Sequence, residues 1–347
     1  MPIDIPSPKA VNGQLDQRIQ GKIDQKTKPL GALGHVEALA LKVVRLLGDP
    51  PGIERPTMVV FAGDHGAADS GISSYPKEVT YQMVLNFLRG GAAINVFAKQ
   101  VGMELMVVDA GVHGDLEAHP KLCSRKIAEG TANYLEAPAM TAAQLEQAIQ
   151  SGRQIVSKLA DQGVNTVGFG EMGIGNSSSA SLLMSVLTQM PLEACVGRGT
   201  GLDDAGLNRK WRLLQKAKSR HGEPEDPMMA LACYGGFEIA MMAGAYAEAA
   251  HRGMLILVDG FIATAALLPI WASEPRVLDW CVFSHCSAEK GHEALLARLG
   301  GQPLLRLGMR LGEGTGAALA LPLIKAAVNF YNEMASFDQA GVSQRDA

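Results

Sequence analysis

Aromatic side chains are scarce in this chain, and so are the signatures of several protein classes. Phe, Trp and Tyr make up 5% of the 347 residues, against 39 glycines and 47% hydrophobic residues. That balance suits an α/β enzyme with many tight strand-to-helix loops. Excess charge is also missing: a net charge of −4 leaves no basic footprint for nucleic acid. The basic cluster Lys216-Ala217-Lys218-Ser219-Arg220 is short and reads as a solvated loop. The five cysteines, Cys123, Cys195, Cys233, Cys281 and Cys286, are odd in number and include no C-x-x-C pair. A disulfide framework or zinc knuckle is therefore not expected, and a reducing compartment fits better. The segment Met1-Pro2-Ile3-Asp4-Ile5-Pro6 lacks the basic start and apolar core of a signal peptide. No apolar run approaches the ~20 residues that cross a bilayer. A cytoplasmic protein with small-molecule partners, and neither nucleic acid nor membrane, is expected.

Six short runs, 57–63, 104–110, 165–170, 254–260, 280–284 and 303–308, read as buried strands. Most are rich in Val, Ile, Leu or Met, and long helical patterns separate most of them. This spacing predicts crossover units, a mainly parallel Rossmann-like sheet, and helices on both faces. Apolar residues Leu33, Val36, Ala40, Val43, Val44 and Leu47 follow helical spacing, which Gly48-Asp49-Pro50-Pro51-Gly52 ends. Residues 317–334 are a second helix candidate, and the charged stretch 219–227 reads as an exposed loop. The expected organisation is an α/β catalytic domain over 53–320 and a smaller helical domain from 1–52 and 321–347. The last ten residues are polar, a composition that favours fraying.

Polar and glycine residues gather after all six candidate strands, at the edge where open α/β sheets bind ligands. Two of these loops carry a glutamate: Gly170-Glu171-Met172-Gly173-Ile174-Gly175-Asn176-Ser177 and Leu311-Gly312-Glu313-Gly314-Thr315-Gly316. Glycine lets backbone N–H groups approach a ligand, and a helix N-terminus favours an anion. A carboxylate there can be a base or a ligand anchor; a helix-dipole or capping role is the plainer alternative, stronger for Glu171. Gly173, Gly175, Asn176 and Ser177 open a helix and suit a phosphate, although a plain N-cap explains Ser177 equally well. Asp64 and His65 end the first run. With Asp259, His113, His285 and His292 they raise a metal-dependent hydrolase as a competing reading. No H-x-H or H-E-x-x-H spacing supports it, and no metal is expected. A non-catalytic nucleotide sensor is a third reading.

Taken in order, the loops resemble the nicotinate-nucleotide–dimethylbenzimidazole phosphoribosyltransferase family, which assembles the lower-ligand nucleotide of cobalamin. The resemblance is carried by Lys26-Thr27-Lys28-Pro29-Leu30-Gly31-Ala32-Leu33-Gly34, Phe61-Ala62-Gly63-Asp64-His65-Gly66 and Gly71-Ile72-Ser73-Ser74-Tyr75-Pro76-Lys77-Glu78-Val79-Thr80. It continues through 170–178, through Gly197-Arg198-Gly199-Thr200-Gly201-Leu202-Asp203-Asp204, and through Gly312-Glu313-Gly314-Thr315-Gly316. Leu30 and Ala32 depart from the Pro and Ser more usual in the family, a difference bearing on substrate preference.

The resemblance implies phosphoribosyl transfer from nicotinate mononucleotide to a benzimidazole, without cofactor, by a homodimer. It aligns Glu313 with the family's general base. Glu171 becomes a second catalytic carboxylate, bearing on C1′ or the ribose hydroxyls. Gly199, Thr200, Gly201 and Lys210 would complete a phosphate cradle. Ser74, Tyr75, Gln82 and Met172 would line the acceptor-base pocket, with plain packing an equal alternative for Tyr75.

Overall fold

The structure, a computed structural model, describes residues 4–7 and 13–343. Residues 1–3 of the segment read for a leader, and the last four of the polar C-terminal ten, lie outside the described residues. Strands β1 Thr57–Gly63, β2 Glu104–Gly111, β3 Leu122–Ser124, β4 Thr166–Met172, β5 Leu255–Val258 and β6 Cys281–Phe283 form one sheet. Its order is β3-β2-β1-β4-β5-β6, and every neighbouring pair is parallel. The run Met58-Val59-Val60-Phe61-Ala62 is buried throughout, as a strand covered on both faces requires.

In chain order the helices are α1 Gly13–Asp24, α2 His35–Leu47, α3 Glu78–Arg89, α4 Ala93–Val101, α5 Ala142–Asp161, α6 Asn176–Thr188 and α7 Leu192–Cys195. They continue with α8 Asp204–His221, α9 Pro227–Tyr234, α10 Phe237–His251, α11 Phe261–Ser273, α12 His292–Arg298, α13 Thr315–Glu333 and α14 Phe337–Ala340. Helix α10 lies across β1, β2, β4 and β5, and α5 packs on α10. Their backbones come close because two glycines face each other. A Cβ on Gly152 would strike the Met241 carbonyl, and one on Gly244 would strike the Ile149 carbonyl. Helix α13 packs against α2, α4 and β4.

The strand order places the topological switch between β1 and β4, where crossovers leave in opposite directions and open a crevice. Register sets Phe61 beside Glu171 and Ala62 beside Met172, so Glu171 reaches that crevice at the carboxyl end of β4.

Several expectations change in detail. The run 303–308 is not a strand: it follows β6 with bonds such as Leu304 N–H to the Phe283 carbonyl (3.0 Å), but makes a single bridge, His285 to Leu305. The first long helix starts at His35, because Gly31 and Gly34 adopt φ +71° and +52°. The basic cluster 216–220 lies inside α8, with Ala217 buried, and is no loop. The terminal segments meet through an antiparallel bridge from Lys26 to Ser336. Their Ile19, Ile23, Val43 and Tyr331 belong to the same hydrophobic cluster as the sheet. The expected boundary at 320/321 falls within α13.

Candidate active site

A cavity of about 620 Å³ opens at the carboxyl edge of β1, β4, β5 and β6. Its walls come from the loop after β1 and from α3, from 171–177, from 259–263, from the segment after β6, and from 310–313. Glycine is required where backbone meets backbone. A Cβ on Gly173 would stand 2.5 Å from the Gly63 carbonyl, and Gly175 turns into α6 at φ +98°.

Glu313 sits in this wall, buried, between Gly312 and Gly314, both at φ +87°. Its own φ is +64°, a left-handed conformation that side chains other than Gly rarely adopt. The loop is pressed flat on β4: a Cβ on Gly170 would strike the Glu313 carbonyl. The carboxylate Oε2 accepts the Ile94 N–H of the first turn of α4 at 3.4 Å. Burial raises the Glu313 carboxyl to about 7, the Ile94 N–H opposing and the charge of Asp259 adding to the rise. A base that ionises there can take a proton at neutral pH.

Glu171 is buried against the Glu313 loop, its Oε1 where a Cβ on Gly312 would fall, and accepts a hydrogen bond from the Asn176 amide. Burial lifts it to about 8, against the Asn176 bond and with further lift from Asp259 and Glu238. At pH 7 it is mainly the neutral acid, which can donate a hydrogen bond. Asp259, at the end of β5, fixes the Glu313 loop: Oδ1 accepts Ala317 N–H at 2.9 Å and Oδ2 accepts Gly314 N–H at 3.3 Å. Burial raises its carboxyl too, while His285 and those backbone N–H groups pull the other way.

Ser177 and Asn176 open α6 and line the cavity, as do Gly173, Gly175, Gly199 and Thr200. Lys210 stands behind them, fully buried and outside the lining. Its Nζ donates to Ser177 Oγ (3.1 Å) and to the Gly197 carbonyl (3.2 Å), and burial lowers it to about 8 against the attraction of Glu289. Gly201 turns at φ +107°, also outside the lining. Met172 and Tyr75 line the cavity with Ile72, Val79 and Met83, and Tyr75 is half exposed. Ser74 is held by its N–H to Thr200 Oγ1 (3.3 Å) and does not line the cavity. Gln82 points to solvent from α3; the apolar stripe of that helix turns Val79 and Met83 inward instead.

The residues of the hydrolase reading do not converge. Asp64 Oδ2 accepts the His113 N–H at 2.7 Å, His65 pairs with Glu238, and Asp259 is spent on the N-terminus of α13. The His113 side chain is exposed, facing Glu129. His292 Nδ1 accepts the Ser287 N–H at 2.8 Å, and burial and then His285 lower it to about 3, so it is a neutral core residue. His285 lines the cavity, its Nε2 4.0 Å from Asp259 Oδ1. Among the described residues, no group of three or more His, Cys, Asp or Glu is arranged to hold a metal ion.

Sequence reasoning missed Ser287, Glu289 and Arg310 in the lining. Glu289 Oε1 accepts the Gly199 N–H (3.0 Å), and Arg310 Nη1 donates to the Gly199 carbonyl (3.0 Å). Their only signal is position after a candidate strand.

Comparison with known proteins identifies the family. Residues 9–342 match a family model described as phosphoribosyltransferase. A nicotinate-nucleotide–dimethylbenzimidazole phosphoribosyltransferase of Aromatoleum aromaticum is 58% identical over 332 residues, covering 95% of this chain and 96% of its own. The protein of that name from Cupriavidus necator is 55% identical over 342 residues, covering 98% and 99%. A crystal structure of CobT from Thermus thermophilus matches with a TM-score of 0.92 at 43% identity, covering 96% of this chain and 100% of that one. A sheet with its switch point at β1 and β4, two buried glutamates over one cavity, and identity above half along nearly the whole length lead to one conclusion: the chain belongs to the nicotinate-nucleotide–dimethylbenzimidazole phosphoribosyltransferase family.

Proposed function

We propose that the protein transfers phosphoribose from nicotinate mononucleotide to 5,6-dimethylbenzimidazole, giving α-ribazole 5′-phosphate and nicotinate with inversion at C1′. The observation that carries this reading is Glu313, a carboxyl raised to about 7 in the wall of a cavity that also holds the α6 N-terminal loop.

The chemistry follows from the groups present. The pyridine nitrogen of the donor carries a positive charge and leaves neutral, so departure needs no acid. C1′ passes through an oxocarbenium-like state, as in glycoside chemistry. One ring nitrogen of the acceptor attacks C1′ from the opposite face while the C1′–pyridine bond breaks. The other ring nitrogen loses its proton to Glu313. Glu171, the neutral acid, donates to a ribose hydroxyl. The Gly175 and Ser177 N–H groups, with the Ser177 and Thr200 hydroxyls, receive the 5′-phosphate. Lys210 contributes through Ser177, as a charge one atom removed. Met172, Val79, Met83 and Tyr75 offer an apolar wall to the flat ring. No pyrophosphate leaves, so nothing in this reaction calls for Mg²⁺.

Incubation with nicotinate mononucleotide and dimethylbenzimidazole in excess chelator should yield α-ribazole phosphate and nicotinate, resolved by chromatography. Binding of the mononucleotide without nicotinate release would sink the proposal in favour of a sensor.

No helix among the described residues is long and apolar enough to cross a membrane, and all five cysteines are free thiols. We take the protein to be a homodimer, as the family resemblance implies, and to sit in a reducing, cytoplasmic compartment, as its unpaired cysteines suit. Light scattering that gives the mass of one chain would refute the dimer.

A further inference from the structure

The Asp64-His65 pair at the end of β1 has no part in the reaction as derived, yet it is buried and its surroundings are built around it. His65 Nε2 meets Glu238 Oε1 at 2.6 Å, and Nδ1 meets the Ser179 hydroxyl of α6 at 3.1 Å. Both side chains of the His65–Glu238 pair are fully buried. Burial pulls the imidazole down, but the charge and hydrogen bond of Glu238, with Asp64, outweigh it and leave His65 above its ordinary value. Ionic groups this deep cost more than they return unless their geometry serves something. Three glycines make room for them. A Cβ on Gly63 would stand 3.0 Å from Glu238 Oε2; one on Gly173 would stand 3.2 Å from Glu238 Oε1 and 3.3 Å from His65 Cδ2; one on Gly236 would stand 2.6 Å from His65 Nε2.

The second half of the device is Thr80, fully buried on α3. Its Oγ1 accepts the Ile174 N–H at 3.1 Å. Ile174 lines the cavity between Gly173 and Gly175. Val79 and Met83, on either side of Thr80 in sequence, line the same cavity. The loop before α6 is thus tied to α3 through Thr80. It rests on the His65–Glu238 pair below, and α6 is fastened to the same imidazole by Ser179.

We propose that Asp64, His65, Thr80 and Glu238 are positioning residues that hold the 173–177 loop at a fixed height against α3, and so set the spacing between the donor nucleotide and the acceptor ring. This rests on the transferase reading. It assigns the Asp64-His65 motif a role other than metal ligation.

The test is Thr80→Val, which keeps the shape of the side chain and removes the acceptor of the Ile174 N–H. The KM for nicotinate mononucleotide should rise about tenfold, the cost of one buried N–H left without a partner. The KM for dimethylbenzimidazole should change by less than about twofold, and Thr80→Ser should restore the parent value. Ser179→Ala, which removes only the hydroxyl facing His65, should raise the same constant by a smaller factor. A purely structural role predicts a fall in Tm that serine restores, with no donor-specific change in KM, and that pattern overturns the proposal. So does an unchanged donor KM in both variants. A parent protein that makes α-ribazole phosphate while the variants behave like it refutes only this inference. A parent that makes none refutes the transferase reading and this one with it.

Discussion

Burial gives Glu313 its chemistry. An ordinary glutamate, near 4.3, is too weak a base at neutral pH, and here the apolar wall lifts it to about 7. Glu313→Gln should cut kcat by roughly 10²–10⁴ with little change in mononucleotide binding, measured by steady-state kinetics and calorimetry. Full activity would remove Glu313 from the mechanism. In the parent, kcat/KM should climb as pH approaches 7, where Glu313 ionises. It should fall above about 8, where Glu171 loses the proton it donates and Lys210 its charge. Glu171 also makes a stability prediction. Its folded-state pKa is raised from 4.5 to about 8, so between those values the folded chain holds a proton that the unfolded chain has released. Stability from this group is therefore greatest below pH 4.5 and declines as pH rises towards 8. Glu171→Gln, which has no proton to lose, should gain on the parent by a few °C in Tm between pH 5 and pH 8. A Tm difference that stays flat with pH would argue that Glu171 is ionised throughout. How far such residues can be read from sequence depends on this. The glycines around Glu171 and Glu313 mark them, but nothing local encodes their burial, and Glu238 carries no sign that it lies beneath Gly173.

Elements are legible where periodicity is strong. Five of the six expected strands form, because runs such as 57–63 and 254–260 are continuous and apolar. Strand β3, Leu122–Ser124, cannot be read because three residues carry no period. The run 303–308 follows β6 but begins at a proline, which has no N–H to give, and continues as exposed chain from Arg306. The basic cluster at 216–220 imitates a loop because charge hides the helical spacing of Lys210, Leu214 and Ala217, the buried face of α8. The α5–α10 crossing is another feature that spacing does not announce. Gly152→Ala should push the two backbones apart and destabilise the protein by about 1–3 kcal/mol, read from denaturant unfolding. No loss of stability would mean the helices have room to slide.

At the scale of the molecule, the sequence discloses that chemistry gathers on one edge of a parallel sheet, and the order β3-β2-β1-β4-β5-β6 then fixes where along that edge. Strand order depends on crossovers that no local pattern contains, so the loops of Glu171, Asp259 and Glu313 can be assigned to one edge from sequence, but not to one cavity. Ser287, Glu289 and Arg310 escape for the same reason. The common direction of the strands has a practical side. The opposite rim, where the chain enters β4 and β5 through Gln162-Gly163 and Arg252-Gly253, bears none of these groups and is exposed at Gln162 and Arg252. A dye or immobilising tether attached there would leave the mouth unobstructed, so turnover of single anchored molecules could be watched from the far side.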